Sequence, residues 1–138
     1  MISAQVKRRQ LIRKWPEKLN DVNKAFLPQA GGIVEEQAAR TAPRDQGQLS
    51  GSIKLRLTAD SAIIAATASY AADVEYGTRP HVITAKNERV LTDGKNFFGK
   101  TVNHPGTKAQ PYLRPALLEN KTKILRLWRR IFRSVYGR

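Results

Sequence analysis

The sequence predicts an α+β fold: N-terminal helices, a small antiparallel β-sheet with a long loop or hairpin insertion, and a long C-terminal helix packed on the sheet. Three observations predict it. Leu19, Val22, Phe26, Ala30, Ile33 or Val34, and Ala38 recur at helical spacing. Ile53, Leu55 and Leu57 alternate with Ser52, Lys54, Arg56 and Thr58, the period of a half-buried strand. Leu117, Leu118, Ile124, Leu125, Leu127, Trp128, Ile131, Phe132 and Val135 then form a second long apolar face. At 138 residues the chain has the length of one domain, 1–138.

The elements follow in order. Residues 2–14 suit a short basic helix, with Val6 and Leu11 or Ile12 on one side and Lys7, Arg8, Arg9, Arg13 and Lys14 around it, so residues 1–15 read as a basic extension. Pro16 is expected to end or kink that helix, because it lacks an N–H and its ring meets the preceding turn. Residues 17–41 read as an amphipathic helix that Pro28 and Gly31-Gly32 break in two. The Pro, Asp and Gly of residues 42–48 make a loop. A strand over 53–57, a turn at Ala59-Asp60-Ser61 and a return strand over 62–69 form a hairpin.

Residues 69–78 read as a β-like run closing in a Gly-Thr turn. On a strand Asp73 and Glu75 share one face, with Val74 and Tyr76 on the other. In a chain this basic, they are expected to be acidic partners of an Arg or Lys, while Gly77 supplies a conformation that a side chain would obstruct and Thr78 caps the turn. Residues 79–108 carry apolar islands (Val82 and Ile83, Val90 and Leu91, Phe97, Phe98 and Val102) among polar residues, the mark of a long loop or hairpin insertion that is functional or stays disordered until it docks. A basic amphipathic helix is expected over 115–136, with Pro115 in its first turn.

The chain has 25 Lys and Arg against 11 Asp and Glu, a formal charge of +14, so its field attracts nucleic acid, acidic lipid or an acidic protein surface. Without cysteine it forms no disulfide or thiolate zinc site. No apolar run approaches the roughly 20 residues that span a bilayer, so a soluble protein without membrane partners is expected. His81 and His104 could act as acid or base with Asp73 or Glu75. No Gly-x-Ser-x-Gly elbow, His-Glu-x-x-His helix or P-loop accompanies them, however, so no enzyme, metal or cofactor is expected and both read as loop histidines bonded to backbone. The cations Arg126, Arg129, Arg130 and Arg133 interleave with Trp128 and Phe132, as nucleic-acid-binding helices do. Those aromatics are one turn apart on the apolar stripe, which fits a core or subunit interface better than base stacking.

Three blocks carry a resemblance. Ala42-Pro43-Arg44-Asp45-Gln46-Gly47-Gln48-Leu49-Ser50-Gly51-Ser52-Ile53 resembles an Ala-Pro-x-Asp-Thr-Gly-x-Leu-x-x-Ser-Ile pattern, with Gln46 in place of Thr. Tyr70-Ala71-Ala72-Asp73-Val74-Glu75-Tyr76-Gly77-Thr78 resembles Tyr-Ala-x-x-Val-Glu-x-Gly-Thr, and is answered by His104-Pro105-Gly106-Thr107. Pro111-Tyr112-Leu113-Arg114-Pro115-Ala116-Leu117 resembles Pro-aromatic-Leu-x-Pro-Ala-Leu. In order and spacing, over roughly residues 38–120, these are similar to the small tail-completion, or head-to-tail joining (neck), proteins of long-tailed bacteriophages.

The resemblance implies a structural virion protein that assembles with itself as a ring of six copies between the tail tube protein and the head connector or stopper protein, after passing through the host cytoplasm during assembly. It also implies structural or interface roles for Asp45, Gly47, Tyr70, Glu75, Tyr76, Gly77, Thr78, His104, Pro105, Gly106, Pro111 and Pro115. The basic surface residues Arg126, Arg129, Arg130 and Arg133 would face DNA passing through the ring, an acidic partner or solvent. The alternative from composition is a basic protein that binds nucleic acid through non-specific phosphate contacts.

Overall fold

The computed structural model describes residues 2–44, 47–86 and 90–137, and for residues 2–15 it describes the backbone alone. The architecture is α+β, as expected, and the chain divides into two compact units, residues 1–68 with 112–138 and residues 69–111.

The first unit is organised by one long helix, α1 (Ile2–Thr41). It runs unbroken through Pro16, Pro28 and Gly31-Gly32, correcting the expected short helix over 2–14 and the expected break near residue 30. Each proline removes one backbone hydrogen bond, at a cost of roughly 3 kcal/mol in a helix interior. Packing on both sides of Pro28 offsets it: Val22, Phe26, Ala30 and Ile33 meet one partner, and Val34 and Ala38 are buried in the turns beyond. After Thr41 the helix stops before Pro43, with Ala42 N–H still bonded to the Ala38 carbonyl at 2.9 Å.

A short helix, α2 (Gln48–Ser52), which was not expected from the sequence, leads from the loop into strands β1 (Ile53–Leu57) and β2 (Ala62–Ala66). The strands pair antiparallel in the register Ile53↔Ala66 to Leu57↔Ala62. Their turn is closed by Thr58 N–H to the Ser61 carbonyl, 2.8 Å, and by Ser61 N–H to Thr58 Oγ1, 3.0 Å. The hairpin packs on the C-terminal half of α1. Gly31 makes that approach possible: a Cβ there would stand 2.5 Å from Leu55 Cδ1 and 3.2 Å from Ala62 Cβ.

The C-terminal segment is two helices, α4 (Leu113–Glu119) and α5 (Lys121–Tyr136), where one over 115–136 was expected. Asn120 makes the break, its Nδ2 donating to the Ala116 carbonyl at 2.9 Å, a local bond that competes with helix continuation. Among the described residues the main packing partner of the C-terminal helix is α1. Leu127 and Ile131 of α5 are buried against Val22 and Ala30 of α1, with Phe26, Ile33, Ile124, Phe132, Val135 and Tyr136 around them. Burial of each large aliphatic side chain contributes on the order of 1.5–3 kcal/mol, and α1 offers a matching apolar stripe. The two helices run antiparallel, with Lys18 Nζ 5.4 Å from the Tyr136 ring at one end and Gly32 and Ile33 beside Lys123 and Leu127 at the other.

The second unit begins with α3 (Ala71–Tyr76), which corrects the β-like reading of residues 69–78. Two alanines favour helix, and Val74 N–H bonds the Tyr70 carbonyl at 3.1 Å. Helical spacing puts Ala71 and Glu75 together on the buried side, with Asp73 and Tyr76 exposed, so Asp73 and Glu75 do not share a face. Of the two readings of residues 79–108, the hairpin is the one found. Strands β3 (His81–Thr84) and β6 (Thr101–His104) pair antiparallel, and β4 (Leu91–Thr92) pairs with β5 (Phe97–Gly99) within the arm. Asp93 turns β4 into β5 by accepting the N–H groups of Lys95 and Asn96 at 2.9 and 2.7 Å.

Candidate docking site at the hairpin clasp

The two motif blocks Tyr70–Thr78 and His104–Thr107 meet at the base of the hairpin arm. Thr78 and Thr107 exchange backbone bonds, N–H to carbonyl at 3.0 and 3.2 Å, and their hydroxyls lie 3.1 Å apart. Thr107 N–H also reaches Thr78 Oγ1 at 2.9 Å. A further rung ties Gln110 N–H to the Val74 carbonyl, 2.8 Å, so one of the orphan carbonyls at the end of α3 is satisfied by the returning chain.

The clasp requires glycine on both sides. Gly77 ends α3 at φ 72°, ψ 173°, a region essentially closed to other residues, and a Cβ there would lie 2.6 Å from the Thr107 carbonyl oxygen and 2.8 Å from Ala109 N. Gly106 has φ 86°, and a Cβ on it would run into the Thr78 carbonyl oxygen. Pro105 precedes it on the exposed surface.

His81 and His104 sit opposite each other in the β3–β6 ladder, ring centroids 5.0 Å apart. Each uses Nδ1 on backbone. The Arg79 carbonyl can only accept, so His81 Nδ1, 2.8 Å away, carries a proton; Gly106 N–H can only donate, so His104 Nδ1, 3.1 Å away, does not. Their geometry braces the turn on either side of the clasp. Among the described residues, no group of three or more His, Asp or Glu is placed to hold a metal ion.

Other expected residues stand elsewhere. Asp45 lies outside the described residues. Gly47, at φ 73°, precedes α2 on the surface of the first unit. Tyr70 caps α3 and is partly exposed, Glu75 is buried, and Tyr76 is 76% exposed. Pro111 is exposed and ends the second unit, while Pro115 lies in the first turn of α4 as expected. Arg126, Arg129, Arg130 and Arg133 are all exposed along α5. Trp128 and Phe132 stack at 4.9 Å, continued by Phe132 and Tyr136 at 4.3 Å, so the aromatics form a ladder along the helix.

Beyond the clasp the arm shows apolar side chains to solvent: Val82 is 60% and Phe97 81% exposed, with Val90 and Phe98 exposed beside them. Among the described residues each of its sheets has two strands, which leaves an open edge on each strand. The sequence marked these residues as apolar islands but not as a surface, because a strand with apolar residues reads alike whether its cover comes from the same chain or another. The partnership of Thr78 with Thr107 was also missed; its only signal was the repeated Gly-Thr.

The fold is a small α+β architecture, and above this clasp its hairpin arm exposes apolar side chains. A family model described as "Bacteriophage HK97-gp10, putative tail-component" matches residues 9–77, half of the chain. The chain belongs to that family and is thus a bacteriophage tail component, a protein of the virion. The match takes in α1, the β1–β2 hairpin and α3 up to Gly77; the rest of the arm, α4 and α5 lie outside it. No curated protein and no solved structure matches the chain. Among the described residues no helix is long and apolar enough to cross a membrane.

Proposed function

We propose that this tail component acts as one tail-completion domain at the head-proximal end of the tail, forming a closed ring of subunits, six in the virion, between the tail tube and the connector or stopper of the DNA-filled head. The observation that carries the reading is the exposed arm: Val82, Phe97 and Phe98 face solvent on a hairpin whose base is fixed by the Thr78–Thr107 clasp. Apolar groups displayed this way are covered in an assembly, either by a neighbouring subunit or by the tail tube. A heterologous contact, arm of one copy on the body of the next, closes into a ring when its rotation allows. Deleting the reading frame from its phage or prophage and viewing the induced lysate by electron microscopy tests this. Filled heads beside separate tails, restored to whole particles by added protein, are expected; intact infectious particles would overturn it.

The exposed arginines of α5 support a second reading, non-specific binding of nucleic acid. It requires the purified protein to retain duplex DNA with affinity falling steeply as salt rises.

A further inference from the structure

A groove of about 580 Å³ runs between α1 and α5 in the first unit. Pro28, Ile33 and Leu127 give it an apolar floor, and Lys123, Arg126 and Arg130, spaced on one side of α5, line its edge. Gly32 keeps it open, since a Cβ there would meet no atom within 4 Å. Gln29, also in the lining, is held to its own helix, its Nε2 donating to the Ala25 carbonyl at 2.8 Å. Among the described residues no carboxylate is within salt-bridge distance of the three cations.

The fold gives no reason for that charge. Lys121 and Lys123 fall in the first turn of α5, which holds no acidic residue, so they oppose the helix dipole instead of complementing it. Cations gathered at an apolar recess call for a ligand with both carboxylates and apolar side chains. A nucleic-acid backbone supplies the charge but nothing for the floor. An amphipathic acidic peptide supplies both.

We infer that this groove docks an acidic amphipathic segment of a partner protein, its apolar side chains on Pro28, Ile33 and Leu127 and its carboxylates on Lys123, Arg126 and Arg130. The inference rests on the reading that the protein works by docking to other proteins. Its test uses the purified full chain, so it can fail while head-to-tail joining stands.

The probe is a labelled peptide of glutamates and leucines, with leucines at helical spacing, followed by fluorescence anisotropy beside poly-glutamate and a short DNA duplex. The Glu–Leu peptide is expected to bind at least about tenfold more tightly than poly-glutamate. The pair Arg126→Glu and Arg130→Glu should remove most of that affinity. Gly32→Leu, whose Cβ meets no atom within 4 Å and whose side chain adds bulk at the groove, should abolish peptide binding while melting no lower than the parent chain. If the Glu–Leu peptide does not bind, if poly-glutamate and duplex bind equally well, or if Gly32→Leu binds as before, the groove is not the site and the charge of α5 acts through its open face.

Discussion

Glu35 on α1 accepts the backbone N–H of Leu55 at 2.8 Å, closing the outer edge of strand β1 with a side chain from the helix beneath it. A strand edge left with bare N–H groups is open to wrong pairing, and a carboxylate from the core helix blocks it while fixing register. A bond of this charge-assisted kind is worth about 1.5–3 kcal/mol. Glu35→Ala should therefore lower stability by roughly that amount in urea unfolding, with Glu35→Gln losing less because it keeps an acceptor. Equal losses from both would show that the charge, not the bond, matters.

The neighbouring glycines of α1 should respond oppositely to substitution. Gly32 faces open space, so Gly32→Ala gains helix propensity and should raise stability by about 0.5–1 kcal/mol. Gly31→Leu must displace Leu55 and Ala62 and should cost about 1–3 kcal/mol by overpacking. Thermal melts of the two variants, side by side, decide it.

At the clasp, Gly77→Val combines a forbidden backbone region with a collision at the Thr107 carbonyl. The strain alone is of order 1–3 kcal/mol. The arm should lose its fixed base, and particle yield should fall in a phage carrying the change. Normal yield would show that the arm is not needed for assembly.

Two turn carboxylates set a pH response. The Asp60 carboxyl is held below its ordinary value by the Ser61 hydroxyl and then that of Thr58; Asp93 is held down by the N–H of Asn96 and then of Lys95. Protonation is thus harder in the folded state, so the contribution is present above the ordinary carboxylate value and is lost as pH falls through the lowered one. Both side chains are exposed, and the effect is small. Carboxyl NMR titration should give both groups midpoints below that of unstructured Asp; ordinary midpoints would mean the turns do not hold these bonds in solution.

The sequence carried the elements that pack by period. The stripe from Leu19 to Ala38 and the one from Ile124 to Val135 both form helices, and the alternation at Ile53, Leu55 and Leu57 forms a strand. It misled where tertiary packing overrules local preference. Pro28 and Gly31 announce a break, yet Gly31 is the point where Leu55 approaches and the helix persists. Val74 and Tyr76 alternate like strand residues, although Ala71 and Glu75 supply the buried face of a helix. The Gly77-Thr78 turn was legible because glycine there has a backbone cause; the groove beside Lys123 was not, since it needs two helices whose pairing no local pattern reports.

Within residues 69–111, only Ala71 and Glu75 are buried among the described residues. Opening the arm above its clasp would release little apolar surface, so that opening should respond only weakly to denaturant, and the arm's amides should exchange ahead of those buried between α1 and α5. In the proposed ring, the entropy of fixing such an arm would be lost only when it meets its neighbour. Such a subunit would then gain little from pairing off in free solution and more from adding to a platform that already holds several copies, so closure of the proposed ring would wait for a tail end to nucleate it.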